Sequence, residues 1–344
     1  MIRDAIREFH EYYYSSVDFK KWRSNFSREI YACLKPNIGL HEDVLITELC
    51  KVMSGQEFRA GSGRIFIESN KAHGYSTSGV EFDYIGENVK KELADMIIIS
   101  AVTFQREVLF LKTAFIQNKN ANRGNKRTDS WSIDQEQLFL LKNFPSFVGV
   151  HGIIDRMFGR KQVDFMNHSG TLGNYGLFTL QGDLAFLTAR NVFCAQKASG
   201  GLSFESIRNA ANASATSHSY YQGSQFCGRC HRKHCMDCFE GHREYPMSLS
   251  QLNYLPFFNN YSYALNVYEV VKDLTCFNIG EPSCAFGRIT DRDLFDFTAK
   301  ILHKSFGYTI AENRFFDNEN ENIYRDEGGA TVILNRLELG KNYG

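Results

Sequence analysis

Between residues 92 and 119 two apolar runs follow each other, both short and both rich in β-branched and aromatic residues. The first starts at Met96, directly after Glu92-Leu-Ala-Asp95, and the second ends in Gln117-Asn-Lys119. A short continuous apolar run bounded by polar residues is the pattern of a strand covered on both faces, so the two are read as adjacent buried strands of a mixed sheet. Their polar residues then lie at strand ends, which brings an acid and an amine to one edge. A carboxylate there can hold a hard cation such as Mg2+ through oxygen, and a nearby ammonium can steady a water or a charge developing on phosphorus.

The surrounding pattern is mixed as well. Residues 1 to 34 carry aromatic and apolar residues at roughly helical spacing, with Ile6, Phe9, Tyr13 and Val17 as examples. Asp43 to Met53 reads as a helix with an acidic first turn at Glu42 and Asp43, and Glu48 sits among Ile46, Leu49 and Val52. Residues 64–68 and 80–85 read as strands. Asp134 reads as the N-cap of a helix that runs to Asn143 before Pro145. Beyond residue 146 the spacing predicts a strand near Tyr175, a strand or short helix over 183–190, a helix between Asp291 and Phe306, and a strand over 328–334. Residues 200–223, rich in Ser, Ala, Asn and Gly, read as a connector.

Asp95 followed by Gln117-x-Lys119 resembles the PD-(D/E)xK nuclease superfamily, in which one strand carries an Asp and the next a (D/E)-x-K. The resemblance covers roughly residues 40 to 145. Together with Trp131-Ser-Ile-Asp134-Gln-Glu-Gln137, the chain is also similar to large bacterial proteins associated with defence against phage. The resemblance implies a restriction-endonuclease-like α/β fold and a Mg2+ or Mn2+ site in which Asp95, Gln117 and the Asn118 carbonyl hold the ion. It gives Lys119 the water and the phosphoryl charge, and it makes Glu48 the helix acid that points to the metal. An acid near a core face needs a partner, and a cation would serve; the alternative for Glu48 is an ordinary wet helix position. Gln117 departs from the pattern, because an amide oxygen without formal charge stands where the superfamily has a carboxylate. Such a site holds its metal more weakly.

Composition narrows the partners. Lys plus Arg equals Asp plus Glu at 39 each, so no global basic field announces a nucleic-acid binder. Charge is concentrated locally instead: Lys112, Lys119, Arg123, Lys126 and Arg127, then Arg156, Arg160 and Lys161, are placed to meet a phosphate backbone. With 43% hydrophobic residues, 29 Phe and 17 Tyr, an ordered globular protein is expected. The N-terminus is charged from Arg3 and no apolar run approaches the ~20 residues of a membrane span, so the expectation is a soluble, cytoplasmic protein without a membrane partner.

Nine cysteines in such a chain are read as thiols and metal ligands. Cys227-Gly-Arg-Cys230 and Cys235-Met-Asp-Cys238 form two C-x2-C pairs able to clamp one structural Zn2+, with His231, His234 or His242 as alternative ligands. The expectation is a core over residues 1–145 and an accessory region over 146–344 that carries a zinc-stapled extension. Its function is expected to be Mg2+-dependent hydrolysis of DNA as a defence effector. The alternative is an inactive nuclease-fold subunit that binds nucleic acid or a partner protein. A regulatory partner or self-association completes the expected partners.

Overall fold

The computed structural model describes residues 16–61, 63–71, 79–122, 129–211, 263–285, 287–311, 314–317 and 330–340. The cysteine pairs at Cys227, Cys230, Cys235 and Cys238 lie outside the described residues, as do Arg123, Lys126 and Arg127.

Helix α1 (Val17–Leu34) starts where the Ser16 side chain accepts from Phe19 N at 3.0 Å. It buries Phe19, Phe26, Ile30 and Leu34, one stripe at helical spacing. Helix α2 (Glu42–Met53) buries Leu45, Ile46, Leu49, Cys50 and Met53. Strands β1 (Gln56–Ala60), β2 (Gly63–Lys71), β3 (Gly79–Tyr84) and β4 (Glu87–Glu92) follow, then the two long strands β5 (Met96–Phe104) and β6 (Glu107–Asn120). After helix α3 (Gln135–Asn143) come β7 (Gly173–Phe178), β8 (Leu184–Thr188) and α4 (Ala189–Ser199). The remaining major elements are α5 (Val267–Thr275), β9 (Glu281–Ala285), α6 (Arg292–Phe306) and β10 (Thr331–Leu339).

The fold is mixed α/β around one large mixed sheet, ordered β1-β2-β10-β5-β6-β7-β8. Strand β5 runs antiparallel to β6, with Met96 opposite Ile116, while β10 lies parallel to β5 and β7 parallel to β6. The first half of β6 also pairs with β9, so this strand borders β5 along one edge and β9 and then β7 along the other, with Arg314 opposite Glu107 at its start. Strands β3 and β4 belong to a smaller second sheet.

Alternation along the strands sorts the core into two faces. Ile97, Ile99, Phe115, Tyr175, Leu177 and Val332 pack with Leu138 and Leu141 of α3, Val192 of α4 and Phe297 of α6. Met96, Ile98, Ala114, Ile116 and Ile333 pack with Phe26 of α1, Leu49 of α2 and Val270 of α5. Helices therefore cover both faces, which explains why β5 is apolar at nearly every position and buried along its whole length. The expected division at residue 145 does not separate two sheets: β7, β8, β9 and β10, all beyond it, pair into the sheet that holds β5 and β6. Among the described residues no helix is long and apolar enough to cross a membrane.

Lys112, expected on a basic surface, is instead buried in the middle of β6, 3% exposed. It completes a polar row across three strands, Asn335 beside Ser100 beside Lys112. Among the described residues neither Ser100 Oγ nor Lys112 Nζ has a hydrogen-bond partner, and burial pushes the lysine down to about 8 against the opposing pull of Glu281. A buried unpaired donor costs on the order of 1–3 kcal/mol. Lys112→Met should therefore raise the urea midpoint at unchanged slope by an amount in that range. The gain is largest below pH 8, where the wild-type amine must be folded with its proton, and shrinks as the pH climbs toward the ordinary lysine range. A lower midpoint in the variant would mean that the amine has a stabilising partner.

Candidate functional site

Asp95 stands one residue before β5, where the chain leaves the small sheet and enters the large one. Its backbone is fixed from both sides: Asp95 N donates to Ile116 O at 3.1 Å and Asp95 O accepts from Thr331 N at 3.0 Å. The antiparallel register that sets Met96 opposite Ile116 brings Asp95 level with Gln117. Gln117 Nε2 donates to Asp95 Oδ2 at 2.7 Å, and Asn118 N donates to the same oxygen at 2.6 Å. None of the described residues donates to Asp95 Oδ1.

Two positions further on, Lys119 Nζ lies 3.6 Å from Glu42 Oε2. Glu42 is also held by Asn120 N, which donates to its Oε1 at 2.9 Å. The first turn of α2 is thus pinned to the end of β6 through one carboxylate. Asp95, Gln117, Asn118 and Lys119, singled out from sequence, come together at this strand end. Glu48 does not join them. The apolar stripe of α2 turns Leu45, Leu49 and Met53 inward and leaves Glu48 half-exposed, 2.5 Å from Lys51 Nζ, with the Cys33 thiol of α1 in its field. The helix acid at the strand end is Glu42, whose sequence signal was only that of a favourable first-turn charge. Of the basic residues expected to flank the site, Arg156, Arg160 and Lys161 are exposed.

Two further groups were not legible as site residues. Glu92, at the end of β4, is half-buried, and its own carbonyl accepts from Gln137 Nε2 at 2.8 Å. Burial, followed by the negative fields of Asp95 and Asp43, pushes its carboxyl up to about 8, with Lys119 pulling the other way. Tyr175 on β7 sits beside Gln117 in the parallel register, fully buried, and its hydroxyl has no partner among the described residues. Burial and the charges of Asp134 and Asp95 push that phenol upward, so it stays protonated.

Asp95 itself is pushed up to about 6, mainly by burial, against the bonds from Asn118 and Gln117 and the field of Lys119. Such displaced carboxyls gathered at one strand end mark a candidate functional site. The donor set fits a hard divalent cation: among the described residues nothing donates to Asp95 Oδ1, and Gln117, only 6% exposed, has a buried Oε1 with no hydrogen-bond partner. Among the described residues no three His, Cys, Asp or Glu side chains form a metal-holding group, so the set is one of a carboxylate with amide oxygens.

The two raised carboxyls set the sign of the pH dependence. Both folded-state values, about 6 and about 8, exceed the ordinary range near about 4, so the fold keeps protons that the unfolded chain has released. Their contribution is full at acid pH and is lost as pH rises through about 6 and then about 8. The metal-free protein should accordingly melt lower at pH 8.5 than at pH 5.5. Added Mg2+ should raise the melting temperature more at pH 8.5, because the ion binds the deprotonated form. An equal Mg2+ effect at both values would remove these carboxyls from the metal's surroundings.

No family model, curated protein or solved structure matches the chain.

Proposed function

We propose that the protein is a metal-dependent nuclease of the PD-(D/E)xK kind that hydrolyses DNA phosphodiester bonds. The observation that carries this reading is the convergence of Asp95, the Gln117 amide and Lys119 at one end of an antiparallel strand pair, with Glu42 holding the lysine. Helix α2, strands β5 and β6 and helix α3 follow in the helix-strands-helix order of that superfamily, and the reading takes the fold as restriction-endonuclease-like with β10 interposed.

In this reading Asp95, Gln117 Oε1 and the Asn118 carbonyl would hold Mg2+ or Mn2+, which supplies Lewis-acid polarisation of the scissile phosphate. The chain's own residues do the rest. Asp95 must give up its proton to bind, and the hydrogen bonds from Gln117 and Asn118 hold its carboxylate in place. Lys119, kept at the strand end by Glu42, orients the attacking water and stabilises charge on the phosphoryl oxygens. A structural Zn2+ on Cys227, Cys230, Cys235 and Cys238 and a role in defence against phage extend the proposal, and both rest on the sequence.

A second reading follows from Gln117 and from the lack of a three-acid group among the described residues. A nuclease-fold subunit that has lost its metal would bind nucleic acid or a regulatory partner without cutting. One assay separates the two: plasmid, linear DNA and RNA, each incubated with Mg2+, Mn2+ or chelator. Cleavage that needs the metal supports the enzyme, and binding without cleavage or Mg2+ uptake supports the subunit.

A further inference from the structure

Next to the strand end that carries Lys119 lies a cavity of about 310 Å3, its open mouth included, at the carboxyl ends of β6 and β7. Crevices outside the carboxyl ends of parallel strands are where open α/β sheets take their ligands. Leu34 of α1, Ile38 of the connector, Leu45 of α2 and Phe178 of β7 give it apolar walls, and Asn120 and Asp183 add polar groups. No lysine, arginine or histidine is among the described residues that line it. A phosphate would find no countercharge there, whereas an uncharged ring could bury its faces.

What the polar groups have to spare decides the ligand. Asp183 is turned to the backbone, its Oδ1 accepting from Leu184 N at 2.9 Å and from Val267 N at 2.7 Å. Asn120 Nδ2 donates to Leu40 O at 2.8 Å, which fixes the amide, and its Oδ1 is buried with no partner among the described residues. Two residues back on the same face of β6, Asn118 is fully buried, and neither of its amide atoms has a partner among those residues. An acceptor left over in the wall of an uncharged cavity calls for a neutral N–H donor.

One carboxylate ties this cavity to the candidate site. Glu42 accepts from Asn120 N at 2.9 Å through Oε1 and stands 3.6 Å from Lys119 Nζ through Oε2. Asn118 N, which donates to Asp95 Oδ2 at 2.6 Å, is two residues from Asn120, roughly 7 Å along a strand. A span of that order separates the phosphate of a nucleotide from its base.

We propose that this cavity receives the base of the nucleotide beside the scissile phosphate, with a base N–H donating to Asn120 Oδ1 and the ring held between the apolar walls. Such a base has to leave its stack, so the substrate class is DNA that is single-stranded or opened at the cut. The inference rests on the nuclease reading and adds a base-binding subsite to it.

The test has two parts, both on the full chain. An NMR titration with chelator present compares dAMP with deoxyribose 5-phosphate, and wild type should bind dAMP about tenfold or more tightly, the scale of one base contact. Ile38→Phe, which fills the cavity, and Asn120→Ala, which removes the acceptor, should each bring dAMP close to the sugar phosphate. Cleavage with Mg2+ is then mapped on a single strand with one abasic position. Wild type should cut the phosphate beside that position about tenfold more slowly than in the intact strand, and Ile38→Phe should lose the difference. Equal binding of the two ligands by wild type, dAMP binding untouched by Ile38→Phe, or even cutting of both strands would overturn the subsite and leave the nuclease reading standing. Base-selective binding without cleavage of any DNA under any metal would overturn the nuclease reading, and with it the cavity's place beside a scissile phosphate.

Discussion

Asp95→Asn and Lys119→Ala should each lower metal-dependent DNA cleavage by roughly a hundred- to a thousandfold, the scale of losing one preorganised group that acts on developing charge. The fold should survive both changes. Asparagine at position 95 can still accept from Asn118 N and carries no charge to desolvate, so the metal-free variant should melt at or above the wild-type temperature. Lys119 is about a quarter exposed at its side chain, and Glu42 keeps its bond to Asn120 N when the amine is gone. Glu48→Gln serves as the internal control: it breaks only the contact with Lys51 and should leave cleavage unaltered. The measurements are an initial-rate plasmid assay and a thermal melt on the same preparations. Full cleavage by both Asp95→Asn and Lys119→Ala would move the chemistry away from this strand end.

Gly173→Ala should cost about 3 kcal/mol or more and deplete the soluble folded protein. At this position β7 passes directly beneath the end of α3, and a methyl group would lie under 3.0 Å from the carbonyl oxygen, carbonyl carbon and Cα of Leu141. Those are backbone atoms, which cannot swing aside as a side chain would, so α3 has to lift off the sheet. Lifting α3 also withdraws Gln137 from the Glu92 carbonyl and loosens Leu138 and Leu141 in the core. A denaturant titration gives the loss directly. A variant that melts within a degree of wild type would show that the helix end can shift without strain.

What could be read from the sequence was local. The strands β5 and β6, the N-cap at Asp134 and the helix stripe of Leu294, Phe297, Ile301 and Leu302 rest on spacing and capping within a few residues, and the structure has them where the pattern placed them. Asp95, Gln117 and Lys119 were legible for the same reason, since an antiparallel neighbour settles their register. Glu42 and Glu92 were not, because their place at the site is set by how α2 and β4 pack on the sheet.

Helix α4 is a comparable case. Residues 183–190 read as a strand or a short helix, and they are a strand as far as Thr188, whose side chain then accepts from Asn191 N to open a helix. The hardest element was β10. Its apolar start suggested a strand over 328–334, and the strand runs over Thr331–Leu339, on through the polar residues Asn335, Arg336 and Glu338. They are buried because Arg336 pairs with Glu338 at 2.7 Å and lies 4.0 Å over the Phe315 ring. Such tertiary partners leave no trace in local spacing.

Strand β10 lies between β2 and β5, and Thr331 donates to the carbonyl of Asp95 itself. A ribosome makes Lys119 long before it makes this strand; at about 5–20 residues per second the interval is on the order of ten to forty seconds. Throughout it the sheet has a gap beside the acid, so the strand end that carries Asp95, Gln117 and Lys119 is completed only once β10 threads between β2 and β5.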